Sequence, residues 1–109
     1  MDFNQFTIKG REAIQAAQQI AVAKKNQAIE PAHILGGMID VDENVLSLIL
    51  EKQGVKMDML KPELDLEINK YPKIEGQQGN HLSNSSNQIL QSAQEIAKEM
   101  NDDLSLIHI

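Results

Sequence analysis

The feature that most constrains this chain is that it writes one helix twice. Residues 6–21 and 82–97, displaced by 76 positions (83 − 7), agree at five of sixteen positions: Gln15 with Gln91, Ala17 with Ala93, Gln18 with Gln94, Ile20 with Ile96 and Ala21 with Ala97. Chance would give about one, and self-similarity at a fixed period points to a repeat architecture. Each copy opens with an apolar residue and a hydroxyl N-cap (Phe6-Thr7, Leu82-Ser83), whose oxygen can accept from a free N–H of the first turn. Alanines and branched apolar residues then recur at three- and four-residue spacing, the signature of one buried helical stripe. A sequence of this kind folds as helix on helix.

Composition agrees with close helix packing. The chain has 109 residues, 41% of them hydrophobic, and its aromatic rings are limited to Phe3, Phe6 and Tyr71. A core without bulky rings must come from Ala, Leu, Ile and Met. No run approaches the roughly 20 apolar residues of a membrane span, and no basic-then-apolar signal pattern opens the chain. The expected location is the cytoplasm. With no cysteine there is no thiol chemistry, and a net charge of −6 argues against a nucleic-acid surface, which would need a basic stripe.

The first helix is expected from Ile8 to Lys24 or Lys25, burying Ala13, Ile14, Ala17, Ile20 and Ala21. Glu30-Pro31-Ala32-His33 is the next start, with Pro31 at the first helical position, where its missing N–H costs nothing. Gly36-Gly37 in that helix costs roughly 1 kcal/mol each against alanine, which points to another helix passing too close for a Cβ ahead of the alternative, functional flexibility. Asp40 to Asn44 reads as an acidic, capping turn, followed by a helix stopped at Gly54. A fourth helix starts near Met57, with Leu60, Leu64, Ile68 and Tyr71 as its stripe, and tolerates Pro62 only in its first turn. Residues 1–72 thus read as a first repeat, 73–82 as a glycine-rich linker and 83–103 as the start of a second repeat. No strand pattern is present.

Together, Phe6-Thr7, the alanine-rich helix 13–21, Glu30-Pro31-Ala32-His33-Ile34-Leu35, Gly54, Pro72 and the second start at Leu82-Ser83 resemble the Clp amino-terminal domain of ClpB-type AAA+ protein disaggregases. The resemblance covers residues 2 to about 103 and rests on order, spacing and duplication together. It implies an all-α bundle, here one complete four-helix repeat plus the first helix of a second. It also implies a domain tethered to a homohexameric ATPase that engages apolar segments of unfolded or aggregated client proteins. A related alternative is an adaptor-docking N-domain of a peptidase-associated Clp unfoldase, whose partners are adaptor proteins. ATP and magnesium are implied only for ATPase domains outside this chain, which has no Gly-x-x-x-x-Gly-Lys-Ser/Thr phosphate loop. The family's second Glu-His-Leu-Leu-like element is due near residue 108. The chain reads Leu104-Ser105-Leu106-Ile107-His108-Ile109 instead, the translation of a transposon adapter used in sequencing libraries, so the second repeat reads as truncated.

No catalytic, cofactor-binding or metal site is expected. His33 lacks companions at ligand spacing and reads as a packed histidine bonded to backbone, while His81 lies in the linker and His108 in the terminal hexapeptide. Asp40, Asp42 and Glu43 lack the glycine and distant glutamate of a calcium loop. Glu63 and Glu67 read as a solvated face, and no nucleophile–base set can be argued. An enzyme is not expected. The residues expected to touch clients are Thr7, Met57 and Met59: Thr7 also has a capping role open to it, and methionine adapts readily to varied partners. Met38 reads as core. The isolated chain is expected to form a compact first repeat with the 84–100 helix loosely docked and residues after about 101 frayed.

Overall fold

Gly37 sits where two helices nearly touch. In the computed structural model, which describes residues 7–76 and 81–107, with side chains through Glu99, a Cβ on Gly37 would lie 2.2 Å from the Ala13 carbonyl oxygen and 2.8 Å from the Ala17 nitrogen. Both are backbone atoms of α1 (Ile8–Ala23), and Gly37 belongs to α2 (Pro31–Lys52). The missing side chain lets α2 press onto the alanine stripe, and Ala17 and Ala21 are wholly buried. The close-crossing explanation for the glycine pair therefore holds for Gly37. Gly36 is different: its nearest neighbour would be the Ile20 Cδ1, at 3.0 Å.

The caps explain the boundaries. Thr7 Oγ1 accepts from the Gly10 N–H at 3.0 Å, and Ser83 Oγ accepts from the Ser86 N–H at 3.1 Å, so both copies of the repeated helix start by the same device. Helix α1 ends in a two-bond reversal: Lys25 N–H donates to Val22 O and Asn26 N–H to Ala21 O. This motif requires a left-handed residue, usually glycine; here it is Lys25, with φ 58°. Gly54, with φ 81°, closes α2 in the same way, with Gly54 N–H bonded to Glu51 O and Val55 N–H to Leu50 O.

Two expectations are corrected. The acidic turn is a break at a single residue inside α2: Asp42 leaves helical geometry (φ −153°, ψ 74°), and its Oδ1 accepts from the Val45 N–H at 3.3 Å. Asp42 thus acts as an internal N-cap, so the two segments need no longer connection. Pro62 lies six residues into α3 (Met57–Asn69), beyond the first turn. Its missing N–H would have paired with the carbonyl of Asp58, and both residues are solvent-exposed, where water replaces the lost bond.

Helix α4 (Asn84–Ile107) is the second copy. Its Ser86 and Leu90 are buried, Leu90 joining Ala17, Ala21, Ile29 and Ile34 in the core. Yet Ile89, Ala93 and Ala97, which correspond by the 76-residue shift to the buried Ala13, Ala17 and Ala21, are exposed. Among the described residues there is no strand, only isolated bridges of Asn26 with Lys73 and Ile29 with Leu82. These hold residues on both sides of the glycine-rich segment against the α1–α2 loop; residues 77–80 lie outside the described set.

Candidate interaction site

The crossing at Gly37 and the break at Asp42 together make an apolar groove. Because α1 and α2 approach so closely, the first turns of α1 offer the small Gly10 and Ala13 as one wall, with Lys9 at its margin. The break redirects the chain, so Val45, Leu46 and Ile49 share a concavity with Met38 and Val41; its volume is about 470 Å³. Val45 and Ile49, branched apolar side chains on neighbouring turns, are 51% and 54% exposed. Lys9 and Asp42 also line the groove and form an ion pair at 3.7 Å. A pair so exposed contributes little to stability, but it sets a charged margin beside an apolar floor. Such a site can hold an apolar side chain by burial alone.

The residues expected to touch clients do not converge. Thr7 is exposed and spends its hydroxyl on capping the helix whose first turns wall the groove. Met57 borders a separate, more polar concavity with Ser47, Glu51 and Lys56, and Met59 stands 68% exposed on α3. Met38, read from the sequence as core, is exposed and lines the groove. Helical spacing puts Met38 on the apolar stripe before the acidic turn and Val45 and Ile49 on the stripe after it, and the break at Asp42 brings the two stripes to one groove. Replacing Thr7 with alanine is expected to cost about 1 kcal/mol of stability through loss of the cap, whereas serine keeps it. Chemical denaturation of the two variants checks this, and equal losses would remove the capping role.

His33 is wholly buried, and its role is structural. Its Nδ1 accepts from the Glu30 N–H at 2.8 Å, so the histidine at the third helical position caps the turn reciprocally, as Glu or Gln does in a capping box. A backbone N–H can only donate, which places the ring proton on Nε2, 2.8 Å from Asn26 Oδ1. Asn26 in turn donates from Nδ2 to the Pro72 carbonyl at 3.4 Å, and the Tyr71 ring packs at 5.4 Å between centroids. The expected backbone-bonded histidine is present; its partner Asn26 was not foreseen, because nothing in local spacing links residues 26, 33 and 72. Burial holds the imidazole below its ordinary range, against the opposing pull of the Glu30 carboxylate. Burial, reinforced by Glu30 and Glu67, pushes the Tyr71 hydroxyl up. Among the described residues no three His, Cys, Asp or Glu side chains come together as a metal site, and no helix is long and apolar enough to cross a membrane.

Comparison with known proteins gives this arrangement its family. The model of the Clp repeat (R) N-terminal domain matches residues 5–105. Curated relatives include the chaperone protein ClpB of Bacteroides thetaiotaomicron, 44% identical over the whole of this chain. The chaperone protein ClpB of Porphyromonas gingivalis is 36% identical, again over the whole chain. The chain spans 13% of the length of each of these two relatives. An all-α fold built on a duplicated, capped helix, and matched by that model over nearly its full length, belongs to the Clp repeat N-terminal domain family.

Proposed function

We propose that this chain is the N-terminal client-engaging domain of a ClpB-type disaggregase and that the groove between α1 and the broken α2 is where it receives apolar segments of unfolded or aggregated proteins. The groove carries the reading: Met38, Val45 and Ile49 are exposed around a concave apolar floor. Burial of apolar surface yields about 25 cal/mol per Å², much of it offset by the cost of ordering a disordered client. Binding is therefore weak and quickly reversible, which suits a domain that passes its clients onward. The names of the relatives favour this reading over the adaptor-docking one. ATP hydrolysis, magnesium and hexamer formation belong to the remainder of the full-length protein.

The test is a titration of a permanently unfolded, carboxymethylated protein against the chain and its Ile49→Asp variant. The unsubstituted chain is expected to bind, and the aspartate to weaken binding about tenfold or more by placing a charge on the apolar floor. Ile49 is half exposed, so the variant keeps its fold, which circular dichroism verifies. No binding by the folded chain, or unchanged binding by the variant, would refute the groove.

A further inference from the structure

One peptide unit is gripped from both sides. The N–H of the Ile29–Glu30 peptide donates to His33 Nδ1. The C=O of the same peptide accepts from the Ser83 N–H at 3.0 Å and from the Ser86 Oγ at 2.7 Å. Next to it, the Ile29 N–H donates to the His81 carbonyl at 2.8 Å. His33, at the start of α2, and the N-terminus of α4 therefore hold opposite ends of one rigid plane. Beyond the ring, Nε2 continues through Asn26 to the Pro72 carbonyl, so the same imidazole also ties down the chain leaving α3. We infer that His33 is a proton-operated latch: neutral, it fixes the Ile29–Glu30 peptide and holds α4 on the first repeat, and protonated at Nδ1 it releases α4 before the α1–α2 unit unfolds.

The chemistry follows from donor and acceptor counts. Neutral imidazole has one acceptor and one donor, and both are used; imidazolium has two donors and no acceptor. Adding a proton at Nδ1 sets one N–H against another at a site from which water is excluded. The only relief is rotation of the peptide or of the ring, and rotating the peptide moves the carbonyl on which Ser83 and Ser86 depend. The α1–α2 crossing at Gly37 shares none of these bonds and is left in place.

The charged and titratable surroundings are few. Glu30, on the same turn, favours the protonated ring, but burial outweighs it. Tyr71 faces the ring from the segment after α3, with Glu67 behind it. Lys24 and Lys73 flank Asn26, the Lys73 ammonium being bonded to the Lys24 carbonyl at 3.3 Å. The α4 side brings the neutral Ser83 and Ser86 and, just before them, His81.

The experiment is an NMR pH titration of the whole chain, following the His33 ring nitrogens together with hydrogen-exchange protection at Ile29, Ser83 and Asn87. As pH falls below 6.5, the ordinary value, protection at these three amides is expected to drop by about tenfold or more, within the usual range of coupling between sites. The drop should follow the His33 titration while Ala17 and Ala21 stay protected. A His81→Gln chain is expected to behave the same way. Because coupling is reciprocal, Ser86→Ala, which weakens the α4 grip, should move the His33 midpoint upward. The latch is overturned if His33 protonates with Ser83 still protected, or if all amides are lost in one step. It is equally overturned if His81→Gln abolishes the effect, or if Ser86→Ala leaves the His33 midpoint where it was.

Discussion

Gly37→Ala is expected to cost this domain about 2–3 kcal/mol, toward the upper end of what overpacking a well-filled contact costs. The new Cβ would meet the Ala13 carbonyl oxygen at 2.2 Å and the Ala17 nitrogen at 2.8 Å. Both are helix backbone and cannot rotate aside, so α1 and α2 must separate. Separation also loosens the burial of Ala17 and Ala21, the most fully covered apolar residues of the core. Alanine's better helix propensity returns about 1 kcal/mol, too little to reverse the sign. Gly36→Ala is the internal comparison. There the Cβ meets side-chain ends alone, Ile20 Cδ1 at 3.0 Å and Leu64 Cδ2 at an ordinary 3.8 Å, and Ile20 can swing away, so cost and propensity nearly cancel and the net change stays within about 1 kcal/mol. Urea denaturation of both variants decides the matter. Gly37→Ala proving as stable as Gly36→Ala would mean that the helices are not in contact at that point.

His33→Ala is expected to destabilise by about 2–6 kcal/mol, because it leaves the Glu30 N–H and the buried Asn26 carbonyl oxygen without partners, at about 1–3 kcal/mol for each unsatisfied group. Asn26 is 2% exposed, so water cannot readily replace the ring. Acid should act in the same direction. The folded-state His33 titrates below its ordinary value of 6.5, so the unfolded chain takes up the proton first. The contribution of this group to stability is complete above pH 6.5 and is lost as pH falls from there through the lowered folded value. In His33→Ala this part of the pH dependence should vanish. Thermal denaturation of both chains across this pH range measures it, and an unchanged acid profile in the variant would exclude His33 as the source.

Local chemistry made much of this architecture legible in advance. Thr7, Ser83, Pro31 and Gly54 announce helix ends through bonds made within a few residues, and the sequence fully specifies such bonds. The repeat and its alanine stripe made the helix-on-helix fold readable, and paired glycines signalled a close crossing. Part of what escaped depends on partners far along the chain, and part on where a single residue turns or faces water. Lys25 takes a conformation that favours glycine, because that turn delivers Asn26 to His33. Asp42 breaks a helix with one residue where the acidic run suggested a longer turn, since one carboxylate supplies the whole cap. Pro62 is tolerated deep in α3 because its side of the helix faces water. The groove was hidden as well: spacing assigns Met38 to one apolar stripe and Val45 and Ile49 to the next, but only the break leaves them exposed among the described residues.

The most direct test of the central proposal is a methyl-resolved NMR titration of the chain with a short unstructured peptide rich in leucine and phenylalanine. Saturable shifts are expected at the methyls of Met38, Val45, Leu46 and Ile49, together with Ala13 on the facing helix, and these shifts should disappear in Ile49→Asp. Shifts concentrated at Met57 and Met59 on α3, or at Ile89 and Ile96 on α4, with the groove methyls unmoved, would contradict it.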